Sequence, residues 1–80
     1  MSGDQTGWVR GERINGQVVR IVTDRGFAFI RSGQNEYFMH CSALEDGEFL
    51  NLTVGELLTF IPVSTPKGPR AEEVLRQSPR

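Results

Sequence analysis

Phe27, Phe29, Phe38 and His40 are the side chains best placed to do chemistry, and the chemistry is stacking rather than bond-making. They lie in two runs, Arg25-Gly26-Phe27-Ala28-Phe29-Ile30 and Tyr37-Phe38-Met39-His40, separated by a short stretch. Side chains of an extended chain alternate between faces, so Phe27 and Phe29 share one face, and so do Phe38 and His40. If the runs pair as a hairpin, four flat rings gather on one side of a sheet, flanked by Arg25 and Arg31. Such a face suits unpaired bases, which need π-surface to stack on and positive charge for their phosphates.

Other chemistries fit less well. His40 and Cys41 are adjacent, so on a strand they point to opposite faces and make neither a metal pair nor a nucleophile–base pair. A lone His and Cys are also too few for a metal site, and no orienting carboxylate is evident. The Gly26 turn lacks the spacing and the following helix of a phosphate-cradling loop. The chain is therefore expected to be no enzyme, to need no cofactor or metal, and to take no small-molecule substrate. Cys41, the single cysteine, excludes an internal disulfide framework and agrees with a reducing compartment.

The elements that would position these rings are short strands. Ile14–Val22 (INGQVVRIV) is β-branched and strand-like. Thr23-Asp24-Arg25-Gly26 makes a turn in which Gly26 takes a positive φ. Further strands are expected at Phe27–Arg31, Glu36–Cys41, Leu57–Val63 and about Arg70–Leu75. The long connection Ser42–Gly55 holds one helical turn at Ser42–Leu44. Residues 1–13 read as a flexible leader containing Trp8, 14–76 as a β-barrel domain, and 77–80 as a frayed tail. Five short strands, turn-rich links and no convincing long helix indicate an all-β fold closed as a small barrel, which also removes exposed sheet edges.

Alternation gives an inward set of Val18, Ile30, Tyr37, Met39, Leu44, Leu58, Phe60 and Val74. Phe27, Phe29, Phe38 and His40 fall mainly on the other parity. Rings in a small β-protein ordinarily fill its core or an oligomer interface, but here a separate inward set exists. So many outer rings in so small a chain imply a use.

Composition narrows the partners. The chain has 80 residues, nine Lys/Arg against ten Asp/Glu, and a net charge of −1, which argues against a strongly basic duplex binder. A single-strand binder that relies on stacking is compatible with that balance. No apolar run reaches the ~20 residues of a membrane span and no signal peptide is evident, so a cytoplasmic monomer without membrane contact is expected.

The motifs resemble those of the cold-shock domain family. Arg25-Gly26-Phe27-Ala28-Phe29-Ile30 is similar to its first ribonucleoprotein motif, and Tyr37-Phe38-Met39-His40, continued by Ser42-Ala43-Leu44, to its second. Gly16 and Val18 match the family's first strand; Lys67-Gly68-Pro69 with Ala71 and Val74 matches its last turn and strand. The resemblance spans about Gly16 to Val74 and implies a five-stranded antiparallel Greek-key barrel of the oligonucleotide-binding type that binds single-stranded RNA or DNA. It implies base stacking by Phe27, Phe29, Phe38 and His40, and by Phe49 from a loop. Lys67 occupies a position often basic and near the bound strand.

The chain departs from the family pattern beside these motifs. Val19, Arg20 and Ile21 stand where a lysine, a stacking tryptophan and a phenylalanine are usual. Cys41 replaces an aromatic, and Ala28 replaces a glycine, which asks for slightly more room at the sheet surface. At about 1–3 kcal/mol per stacked ring, two missing rings lower affinity by more than about tenfold unless compensated. Arg20 compensates in part, since a guanidinium stacks on a base and attracts phosphate. The implied role is RNA chaperoning with little sequence specificity. A rival reading is a degenerate cold-shock fold used for protein contacts, suggested by the acids Glu45, Asp46 and Glu48.

Overall fold

In the computed structural model, which describes residues 9–77, the β-branched and aromatic runs form six strands. These are β1 (Val9–Arg10), β2 (Ile14–Val22), β3 (Phe27–Ser32), β4 (Asn35–His40), β5 (Leu57–Thr65) and β6 (Gly68–Arg76). Short 3₁₀ turns lie at Thr23–Arg25, Cys41–Ala43 and Phe49–Asn51. The expected strands are all present, with small differences at their ends. Cys41 belongs to the turn after β4 rather than to the strand, and the turn at Phe49–Asn51 is an addition to the expected set. Gly26 has φ 75°, as a left-handed turn residue must.

Strands β5, β2, β3, β4 and β6 are neighbours in that order, and β6 returns to β5, closing a five-stranded barrel. Pairing is antiparallel except where β4 meets β6, at Phe38 opposite Arg70, and where Leu44 bridges Val74. The last residues of the expected leader are part of the sheet. Val9 and Arg10 pair with Ser64 and Val63, and the Gly11 N–H donates to the Pro62 carbonyl at 2.8 Å. The chain then continues along the same edge of β5 as β2, through Ile14 opposite Phe60. Residues 1–8, Trp8 among them, and 78–80 lie outside the described residues.

Val18, Ile30, Met39, Leu58, Phe60 and Val74 are fully buried, and Leu44 joins them. Tyr37 is half-buried and packs its ring on Phe60 with centroids 5.0 Å apart. Ala28, Ala43, Phe49, Leu52, Val63 and Ala71 complete the buried apolar set. Ala28 is therefore beneath the sheet rather than at its surface, because Phe27 and Phe29 take the outer parity. Gly16 is the most closely packed of the described glycines: a Cβ there would lie 2.6 Å from both Ile30 Cγ2 and Phe60 Cε1.

Two irregularities redirect side chains. On β2, Val18 is opposite Ile30 but Arg20 is opposite Phe29, so Val19 is an extra residue. A bulge of this kind breaks alternation and re-aims the side chains beyond it. Val18 thus faces the core while Arg20, two positions on, shares the outer face with Phe29. On β6, one extra residue falls between the partners of Thr59 and Ile61, next to Glu73 with its φ of 49°. Ala71 and Val74, three apart, are consequently both buried.

Candidate nucleic-acid interface

Antiparallel pairing of β3 with β4 sets Phe27 opposite His40 and Phe29 opposite Phe38. The three phenylalanines form one cluster on the outside of the barrel. Phe27 and Phe29 meet edge to face at 5.7 Å, Phe29 and Phe38 at 6.0 Å, and Phe27 and Phe38 at 5.3 Å with a 39° tilt. Edge-to-face contacts are favourable between ring quadrupoles and hold the rings against one another. All three remain half-buried rather than enclosed, so each keeps part of its face open.

His40 extends the row on the exposed side of Phe27. Its Nδ1 accepts the backbone N–H of Ser42 at 3.1 Å and lies 2.8 Å from Ser42 Oγ. An accepting Nδ1 leaves the hydrogen of the neutral ring on Nε2, so the outer edge of His40 is a donor. Cys41 packs against the core beside the Gly26 turn, but because it lies in the turn after β4 rather than in the strand, its Sγ is 4.0 Å from His40 Nδ1 instead of on the opposite face as expected.

Cations surround the rings. Arg20 sits with its guanidinium carbon 6.0 Å from the Phe29 centroid, and Arg70 stands 5.8 Å from that of Phe38. Arg25 is exposed in the turn before Gly26, and Lys67 is exposed in the β5–β6 turn. Among the described residues, Arg20, Arg25 and Lys67 make no ion pair, whereas Arg10 and Arg13 pair with Glu73, and Arg31 with Glu36. Arg31, expected as a flanking cation, is thus charge-balanced at 2.7 Å. A net charge of −1 therefore coexists with a cationic aromatic face.

Between Phe29 and Phe38 on one side and the turn carrying Pro66, Lys67 and Pro69 on the other lies a groove of about 660 Å³, with Arg70 in its lining. Arg70 is the residue that the sequence reading missed. Its neighbour Phe38 is 32 positions away and reaches it only through the parallel closure of β4 on β6, which leaves no local signal.

Phe49 corrects an expectation. It is not an exposed loop ring: only 9% of it is accessible, and it packs in the core with Leu52. In a 3₁₀ turn residues three apart project to the same side, so Phe49 and Leu52 insert together while Leu50 stays 81% exposed. The turn is anchored by Arg76, which donates from Nε to Asp46 Oδ2 at 2.6 Å and from Nη2 to the Glu48 carbonyl at 2.8 Å, and which also pairs with Glu56. The Arg76 guanidinium, together with the Glu48 backbone N–H, holds the Asp46 carboxyl below its ordinary value of 3.8, the backbone bond being the larger cause.

Among the described residues there is no group of three or more His, Cys, Asp or Glu that could hold a metal ion. No helix among them is long and apolar enough to cross a membrane.

Residues 14–77 match the family described as the 'Cold-shock' DNA-binding domain. The chain is similar to the major cold shock protein CspA of Bacillus cereus, 34% identical over 64 residues that cover 79% of this chain and 96% of that protein. It is 36% identical to cold shock protein 1 of Lactiplantibacillus plantarum over 64 residues, covering 79% and 97%. Against the cold shock-like protein CspB of Escherichia coli the identity is 34% over 65 residues, covering 79% and 92%.

Proposed function

The chain belongs to the cold-shock DNA-binding domain family, and on that premise we propose that its aromatic face binds single-stranded RNA or DNA with little sequence specificity. Bases stack on Phe27, Phe29 and Phe38 and against His40. Arg20, Arg25 and Lys67 attract the phosphates, with Arg70 beside them. The observation that carries this reading is the cluster of three half-buried rings outside a barrel whose core is already filled by Ile30, Met39, Leu58 and Phe60. Burying such a face against bases recovers stacking energy that solvent does not supply.

The corresponding biological role is RNA chaperoning in the cytoplasm by a monomer. Binding unpaired segments shifts a hairpin equilibrium toward the open strand by mass action, with no bond made or broken and no cofactor required. Affinity is lower than a full set of stacking rings would give, because Arg20 and Cys41 stand at two ring positions and Phe49 is committed to the core.

A titration with pyrimidine-rich single strands, followed by amide chemical shifts, tests the reading. Shifts at Phe27, Phe29 and Phe38 and an affinity that falls with salt are expected, since each phosphate contact releases counterions. Unchanged shifts at submillimolar protein would sink the proposal and favour a protein-contact role for the fold.

A further inference from the structure

We propose that Ser42 is a positioning residue for strand binding: it holds the His40 ring so that Nε2–H is aimed outward to donate to a phosphate oxygen of the bound strand. The inference rests on the single-strand-binding reading above and adds one neutral hydrogen bond to the stacking and charge contacts of that face.

The geometry starts at the end of β4. His40 is the last residue of that strand, and its side chain caps the 3₁₀ turn Cys41–Ala43. The first N–H groups of a helical turn have no partner within it. The Ser42 N–H finds one in His40 Nδ1, at 3.1 Å. Nδ1 therefore carries no hydrogen, and the Ser42 hydroxyl, 2.8 Å from the same atom, is a second donor to it. Two donors from one residue fix both the tautomer and the tilt of the ring.

The other side of the ring is left for a ligand. The polar contacts of His40 are all made by Nδ1, the remaining one being Cys41 Sγ at 4.0 Å, and Nε2 has no hydrogen-bond partner among the described residues. His40 is exposed, so the Nε2–H meets whatever binds there. A donor lying in the plane of a ring does not reach a base stacked on the face of that ring. It reaches an acceptor beside the base. Phosphate oxygens are the acceptors that every nucleotide carries, whatever its sequence. Arg25 draws them to this end of the face. Its turn leads directly into Phe27, the register partner of His40, and Arg25 is exposed and makes no ion pair among the described residues.

A ring that is already aimed loses less freedom on binding than one the strand must order. A hydrogen bond of this kind changes affinity by about two- to tenfold. The neutral imidazole adds no charge, so the salt dependence of binding stays with Arg20, Arg25 and Lys67.

The test joins two measurements. Long-range proton–nitrogen NMR of the free protein in mildly alkaline buffer reads the His40 tautomer, and fluorescence anisotropy with oligouridine and oligoadenosine heptamers reads affinity. The Nε2–H tautomer is expected. Ser42→Ala keeps the backbone donor and loses the hydroxyl, and should weaken both strands by the same factor, about two- to tenfold. Ser42→Thr keeps the hydroxyl and should bind as the parent does. Placed in a His40→Phe background, Ser42→Ala should cause no further loss, because its effect passes through the imidazole. An equal loss in both backgrounds is what a merely structural role for Ser42 gives, and it overturns the inference. So does an Nδ1–H tautomer, or a Ser42→Ala protein with the parent's affinity. Losses that differ between the uridine and adenosine strands overturn it too, since a phosphate contact weakens all sequences alike. Each of these results leaves the single-strand reading standing. Failure of every strand to bind the parent protein overturns that reading itself, and this inference with it.

Discussion

Arg20 faces Phe29 across β2 and β3, its guanidinium carbon 6.0 Å from the ring centroid, because Val19 is an extra residue in β2. Without that bulge Arg20 would share the inward parity of Val18, and a guanidinium would have to be buried among Ile30, Leu58 and Phe60. The bulge turns a costly core cation into a surface one beside the aromatic cluster.

This placement predicts how Arg20 contributes. Arg20→Ala should weaken binding of a pyrimidine-rich single strand and reduce the slope of log affinity against log salt by roughly one phosphate contact. Arg20→Trp should bind more tightly at high salt, a stacked ring being worth about 1–3 kcal/mol, while showing the same shallower slope. Affinities measured across a salt series check both; a tryptophan protein that binds more weakly at every salt concentration would show that the arginine already serves as the better contact.

Phe38 and Phe49 should separate binding from stability. Phe38→Ala removes an outer ring, and a loss of about 1–3 kcal/mol in binding is expected with the barrel still folded. Phe49→Ala removes a buried one and should cost roughly 3 kcal/mol or more of folding stability. That is a large share of the ~5 kcal/mol a small domain has. Urea denaturation and strand titration, done on both proteins, give the comparison.

Gly16→Ala should be among the most damaging single-methyl changes in the chain. Its Cβ would meet Ile30 Cγ2 and Phe60 Cε1 at 2.6 Å, and both neighbours are fully buried with no room to retreat. Overpacking of this kind costs about 1–3 kcal/mol. A melting temperature within experimental error of the parent protein would contradict the packing described for β2.

Acid should loosen the long connection through Asp46. Its carboxyl titrates below the ordinary 3.8 in the folded protein because the Glu48 N–H and Arg76 stabilise the charged form. The stability this adds is complete above the unfolded value and disappears as pH falls through the lower folded value. The parent protein should therefore lose its advantage over Asp46→Asn as pH is lowered from 5 toward 2, and the two melting curves should converge. A constant difference across that range would remove Asp46 from the acid response.

Much of the molecule is legible in its residue order. The alternation in Phe27–Ile30 and Tyr37–His40 separates outer rings from core residues, and the burial of Ile30 and Met39 between them agrees with it. The strands, the positive φ of Gly26 and the barrel class stem from β-branched runs and turn residues, which act over a few positions. Phe49 resisted that reading because a ring in a polar loop has no periodic partner. Its burial depends on a 3₁₀ turn and on Arg76, 27 positions later in the chain.

The sequence by itself determined which residues could form the aromatic face, since parity along a strand is a local property of extended backbone. Tertiary structure decided how the cations stand around it: it adds Arg70, balances Arg31 with Glu36 and fixes the geometry of Arg20. Arg20 is brought there by an insertion in β2 that only the pairing register reveals, and Arg70 by the parallel closure of β4 on β6. Both are consequences of bending five strands into a ring, where register must shift to keep hydrogen bonds and core packing together. Local pattern has no access to that constraint.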